Sequence, residues 1–184
     1  MAGKKPFIKN FTVEKLADYL EKTGQPGFRA EQIYNEIFIK RAESFEEMDL
    51  LPKSLRSELS GDFRVNSINI NKVSRSEDGS MKFLFDLHDG YSVEAVYMPW
   101  MDEDSEEADR ITLCISSMSG CPVECAFCAT GTLGKGRNLE TSEIIDQLLL
   151  CEKELGTKIT NIVFMGMGEP LLNYNNVLRS IDIM

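Results

Sequence analysis

Histidine and tryptophan occur once each in the 184 residues, at positions 88 and 100. His88 stands far from every cysteine, so the Cys and His pairs that usually build a structural zinc module are missing. No apolar stretch approaches the roughly 18 residues that would span a bilayer. The opening "MAGKKPFIKNFTVEK" has lysines but neither an apolar segment nor a small-residue cleavage site, so it does not read as a signal peptide, and the expected compartment is the cytoplasm. Internal repeats and low-complexity segments are absent too. Positive charge is the scarce sign: 20 Lys and Arg against 30 Asp and Glu leave a formal net charge of -10. That balance opposes broad polyanion binding, which depends on Lys and Arg neutralising phosphates. Any nucleic-acid contact would need local basic patches, for which Lys4, Lys5 and Lys9, then Arg29, Arg41 and Arg56, then Lys135 and Arg137 are the candidates. Five cysteines in a reducing compartment argue against a disulfide framework and for metal or redox chemistry.

What is present falls into three textures. Residues 1–62 read as short helices forming a small accessory module. Thr12 suits the N-cap of "VEKLADYLEKTG", with Gly24 closing it, and Ile33, Ile37 and Phe38 share one face of the next helix. Ser44 and Glu47 match a capping box, and Pro52 opens "PKSLRSELSG", which Gly61 is expected to terminate. Residues 63–102 read as strands: "VNSINI", "MKFLFDL" and "YSVEAVYMP", separated by the turn formers "SEDGS" and "HDG". Along the third, Val93, Ala95 and Tyr97 alternate with Glu94 and Val96, so Glu94 faces away from its apolar neighbours. "WMDEDSEEAD" reads as an exposed charged link.

Residues 103–184 have an α/β texture: a strand at "RITLCISS", a cysteine-bearing loop, a helix from about Thr141 to Leu155 with Gly156 after it, then the strand "ITNIVFMG". A strand, helix and parallel strand is the unit of a βα barrel or a doubly wound sheet. A second helix begins in "EPLLNYNNVLRSIDIM". Two parallel strands cannot cover both faces of a sheet or protect its edge. This part is therefore expected to be the opening of a larger, truncated domain.

The loop carries Cys121, Cys125 and Cys128 inside eight positions. Soft thiolates select zinc, copper(I) or iron–sulfur clusters. Three close cysteines without a second pair suit an iron–sulfur cube held at three corners better than the four ligands of structural zinc, which stays as the rival. Cys151, inside "LLLCEKEL", reads as a packed apolar residue.

The CxxxCxxC loop after a strand, with Phe127 before its last cysteine, resembles the radical-SAM superfamily. "FMGMGEPLLNYNNV" is similar to the GGEP-type segment of the RlmN/Cfr family of radical-SAM RNA adenine methyltransferases. "GQPGFRAEQIY", "VEAVYMP", "TLCISSMSGCPVECAFCATG" and "RNLETSEIIDQ" resemble other segments of that family in the same order.

The resemblance implies an α/β fold: a helical RNA-contacting domain and a hairpin region, then the first βα units of an incomplete, partial TIM-type barrel. It implies that Cys121, Cys125 and Cys128 ligate a 4Fe–4S cluster whose open iron chelates S-adenosylmethionine. Gly168 and Glu169 match cofactor-contacting positions, glycine for close backbone approach and the carboxylate for the methionyl ammonium. Glu94 matches the proton acceptor, since an adenine carbon that gains a methyl must lose its hydrogen. Without the resemblance, Glu94 reads as an exposed strand residue and "GMGEP" as a turn. Cys114 matches a resolving thiol that forms a disulfide with a methyl-carrying cysteine, which this chain lacks. Implied partners are 23S rRNA, tRNA and a flavodoxin-like electron donor acting on a monomer, with no membrane. The expected activity is methylation at carbon 2 of adenosine, which this chain is not expected to complete alone, the Cfr-type alternative being carbon 8. Another alternative is a truncated, non-catalytic RNA-binding module.

Overall fold

The computed structural model describes residues 5–100 and 110–184. Lys4 and most of the charged link lie outside the described residues. The chain divides into two compact units, 1–67 and 68–184.

The first unit is helical. Helix α1, Val13–Lys22, starts at Thr12, whose hydroxyl accepts from the Lys15 amide, and buries Leu16 and Leu20. Helix α2, Arg29–Tyr34, buries Ala30 and Ile33 and continues into a wider π turn over Asn35–Ile39. That turn buries Ile37 together with the carboxylate of Glu36, which Lys40 meets at 2.9 Å. A single 3-10 turn, Phe45–Glu47, stands where the capping box was expected. Glu47 accepts from the Ser44 hydroxyl at 3.1 Å and from the Glu43 amide at 3.0 Å, so its carboxylate reaches one residue too far back to close a reciprocal box. Helix α3, Lys53–Asp62, runs through Gly61. It ends instead at Phe63, which packs edge-on against Phe11 and Tyr19 with centroids 5.3 and 4.9 Å away.

The second unit is a five-stranded sheet in the order β1–β2–β3–β4–β5: Ile68–Arg75, Met81–Leu87, Ser92–Trp100, Arg110–Cys114 and Asn161–Val163. Strands β1 to β4 pair antiparallel, while β4 and β5 pair parallel across helix α4, Thr141–Leu155. Strand β1 begins later and runs further than its apolar pattern suggested. Its polar second half, from Lys72 to Arg75, is held by pairing with β2 after a bulge between Ile70 and Lys72. Strand β5 is shorter than expected because its ladder partner β4 stops at Cys114, where the chain enters the cysteine loop. Helix α4 follows the expected bounds, with a capping box between Glu140 and Glu143 and left-handed Gly156 at its end. A final helix, α5, spans Tyr174–Ile183 after a 3-10 turn at Pro170–Asn173.

The alternation in β2, β3 and β4 divides the sheet cleanly. Phe83, Phe85, Val93, Ala95 and Leu113 face α4 and pack with Ile144, Leu148 and Cys151 in one core. Glu94, Val96, Thr112 and Cys114 fall on the other face and are half-buried. No helix among the described residues is long and apolar enough to cross a membrane.

Candidate functional site

The C-terminal ends of the parallel strands β4 and β5 meet at the cysteine loop. Such ends are where α/β sheets generally place their ligands. Beyond β4, the amides of Ser117 and Met118 both donate to the Met167 carbonyl, at 2.9 and 3.1 Å. The cysteine loop and the "GMGEP" segment are thus bonded directly, main chain to main chain.

Glycines make that contact possible. A Cβ on Gly166 would lie 2.7 Å from the Ile115 carbonyl oxygen, and one on Gly168 would lie 2.5 Å from the Met118 Cβ. Gly168 also has φ of 99°, where a side chain is strained. Glu169 accepts from the Leu171 amide at 3.0 Å, capping the short turn that follows, and stays half-buried.

The loop itself is an excursion closed at its neck. Met118 pairs with Asn138, the Ser119 amide donates to the Arg137 carbonyl at 3.0 Å, and the Cys121 amide donates to the Gly134 carbonyl at 3.1 Å. Gly120 and Gly136 let the two sides touch, since a Cβ on either would meet backbone of the opposite side at 2.4–2.5 Å. Within the loop, Cys121 is buried, Cys125 exposed and Cys128 between the two, and all five cysteines of the chain are free. The Cys128 amide donates to the Cys125 carbonyl at 3.0 Å. The Thr130 hydroxyl, then the amides of Thr130 and Gly131, hold the Cys128 thiol below its ordinary pKa. Among the described residues no three His, Cys, Asp or Glu side chains are gathered closely enough to hold a metal ion. What fits a cluster is the donor chemistry: three unpaired soft thiols in one closed loop, one of them already biased toward thiolate.

Glu94 and Cys114 share the sheet face opposite α4. Val96, two residues after Glu94, pairs directly with Cys114. Lys82 holds the Glu94 carboxylate at 3.0 Å. Burial pushes the Cys114 thiol pKa up, and the Met165 amide partly offsets it. No disulfide joins cysteines within the chain, so the expected pairing of Cys114 finds no partner here.

Two supporting groups escaped sequence reading. Ser116, fully buried, donates from its hydroxyl to the Glu94 carbonyl at 2.6 Å and accepts from the Met167 amide at 2.9 Å. Gln147 on α4 fastens the same serine, accepting from its amide at 2.8 Å and donating to its carbonyl at 3.0 Å. Both lie in segments that resemble the family, "TLCISSMSGCPVECAFCATG" and "RNLETSEIIDQ", but the role of a serine or glutamine in a core is recognised only by what surrounds it.

The basic candidates divide differently from the expectation. Lys9 is buried and donates to Asn66 at 3.0 Å. Arg137 forks onto the buried Glu143 with two 2.7 Å contacts and also binds Asp89, so its charge is spent inside the fold. Lys135 remains exposed.

Residues 8–65 match the family described as the ribosomal RNA large subunit methyltransferase N-terminal domain, and residues 115–183 match the radical SAM superfamily. A probable dual-specificity RNA methyltransferase RlmN from Cytophaga hutchinsonii is 45% identical over 183 residues, covering 97% of this chain and 48% of the relative. The chain is similar to the RlmN family of the radical-SAM superfamily along nearly its whole length. A second RlmN relative, from Thermus thermophilus, is 47% identical over 161 residues, covering 86% of this chain and 43% of its own length. The crystal structure of a radical SAM methyltransferase from Sphaerobacter thermophilus superimposes with a TM-score of 0.87 at 35% identity, over 97% of this chain and 51% of that one. The chain spans about half the length of the curated relatives it matches.

Proposed function

We propose that this chain contributes the cluster loop and part of the cofactor site to a radical-SAM RNA methyltransferase that modifies carbon 2 of adenosine in 23S rRNA and tRNA. The observation that carries the reading is the direct backbone bonding of the cysteine loop to the "GMGEP" segment at Met167. It joins the segment that leads into the three cysteines to the segment carrying Gly168 and Glu169, whose residue types suit a methionine-bearing cofactor.

Cys121, Cys125 and Cys128 are the residues assigned to hold a 4Fe–4S cluster. When bound, that cluster and S-adenosylmethionine supply one-electron cleavage of a carbon–sulfur bond. Gly168 lets the backbone approach the cofactor closely, and the Glu169 carboxylate receives its ammonium by a charge-assisted hydrogen bond. Glu94 takes the proton that the adenine carbon gives up. Its ion pair with Lys82 orients the carboxylate, and the Ser116 bond to its carbonyl ties the base's strand to the cofactor segment. Cys114 acts as the resolving thiol; its raised pKa keeps it protonated until a partner sulfur is presented. The helical unit makes RNA contacts, with a flavodoxin-like protein as electron donor, in the cytoplasm and as a monomer. The names of the relatives support the substrate class: they are called dual-specificity RNA methyltransferases.

Anaerobic reconstitution tests the reading. Iron analysis and the visible spectrum should give about four irons per chain with broad absorption, and Cys125→Ala should lose both. A colourless chain holding one zinc would overturn the assignment.

A further inference from the structure

The neck of the cysteine loop is closed by more than main-chain bonds. Arg137 supplies the last residue of the neck, and its guanidinium reaches two other elements. It grips Glu143, in the first turn of α4, through paired contacts of 2.7 Å, and it binds Asp89 in the turn between β2 and β3. Glu143 is completely buried and also accepts from the Glu140 amide at 2.8 Å. Its other near neighbour is His88, at 3.4 Å. Arg137 holds the Asp89 pKa down, and its own rises because Glu143 and Asp89 both favour the charged form.

The arrangement is costly to break on one side only. Removing the guanidinium would leave a carboxylate buried without its countercharge. A planar fork is also needed, since two parallel contacts to one carboxylate and a third to Asp89 match guanidinium and not ammonium geometry. Meanwhile the thiols above the neck are not gathered. The cost of bringing them together depends on how long the free excursion is. A clasped neck restricts that excursion to residues 119–137, with the amide of Cys121 already bonded to the opposite side.

We propose that Arg137 is a positioning residue for cluster assembly: a clasp that fixes the loop's neck to α4 and to the β2–β3 turn so that three thiols can converge on iron. The proposal rests on the cluster reading above, and it assigns Arg137 an inward role in place of a contact with RNA.

Two measurements on the full chain test it. Iron affinity on anaerobic reconstitution should fall by about tenfold in Arg137→Ala, the scale on which groups supporting metal ligands act. Arg137→Lys, keeping charge without the fork, should fall between the variant and the native chain. In iron-free protein, chymotrypsin should cut after Phe127, which is 93% exposed on the loop, several-fold faster in Arg137→Ala than in the native chain. If Arg137→Ala misfolds by circular dichroism, Asp89→Asn removes one arm of the clasp and leaves the buried pair intact. It should show the same two changes in smaller measure. Native loading matched by the variants would overturn the clasp and leave the cluster reading standing. A native chain that takes up no iron would overturn the cluster reading and the clasp's role with it.

Discussion

At the scale of single residues, cysteines of one chemical type are set apart by their surroundings. Cys128 lies beside a hydroxyl and two amides that favour its thiolate, Cys114 is desolvated between strands, and Cys151 is sealed in the core beside acidic residues that raise its thiol further. The thiolate is the nucleophile, so a lowered pKa moves the alkylation profile to lower pH and a raised one to higher pH. Iodoacetamide on the iron-free chain should therefore modify Cys128 with a midpoint below the ordinary thiol value of about 8.5. Cys114 should respond above it, and Cys151 should stay unmodified until the chain unfolds; mass spectrometry of peptides across pH reads all three. Equal rates at Cys114 and Cys128 would contradict the described environments. The residue scale is also where sequence reading succeeded most fully, since Cys151 in its apolar helix and Glu94 on an alternating strand both sit as their neighbours in the chain implied.

At the scale of elements, the site depends on how α4 is attached to the sheet. The apolar residues Ile144 and Leu148 supply adhesion, yet Gln147 supplies register, because it satisfies both main-chain groups of Ser116 at the point where β4 becomes the cysteine loop. Gln147→Ala would leave a buried amide and a buried carbonyl without partners. The expected loss is roughly 2–4 kcal/mol of stability, measured as a lower urea midpoint with unchanged slope. A loss within about 0.5 kcal/mol, the range of ordinary surface substitutions, would mean that Ser116 finds other partners. Element bounds were legible where periodicity and caps acted together, as in α4. They were not legible in β1 and β5, whose extents are set by the partner strand and not by their own residues.

At the scale of the whole molecule, the two compact units carry different burdens. The helical unit buries Leu16, Leu20, Ile33, Ile37, Phe45, Met48, Leu55 and Leu59. That is a full apolar core for a unit of its length, close to the lower limit at which a domain folds without staples. Residues 1–67 alone should therefore show helical circular dichroism and a cooperative, low-temperature melt; a spectrum without helix would show that the unit needs the rest of the chain. The second unit carries every residue assigned to the cluster and cofactor. Net charge was a coarse guide at this scale, because it cannot separate a lysine at the surface from one bonded inside, as Lys9 is.

Spacing alone made two local features legible, three thiols in eight positions and a glycine-rich segment after a strand, and it was their likeness to a known family that pointed to a chemistry. Those signals are local, and local geometry is written in neighbouring residues. Tertiary structure decided the rest. Whether Arg137 meets RNA or Glu143, and whether Ser116 is filler or the joint between Glu94 and Met167, depends on side chains brought together from distant positions. Burial then decides, because a charge or hydroxyl removed from water must find its partner wherever the fold has placed one.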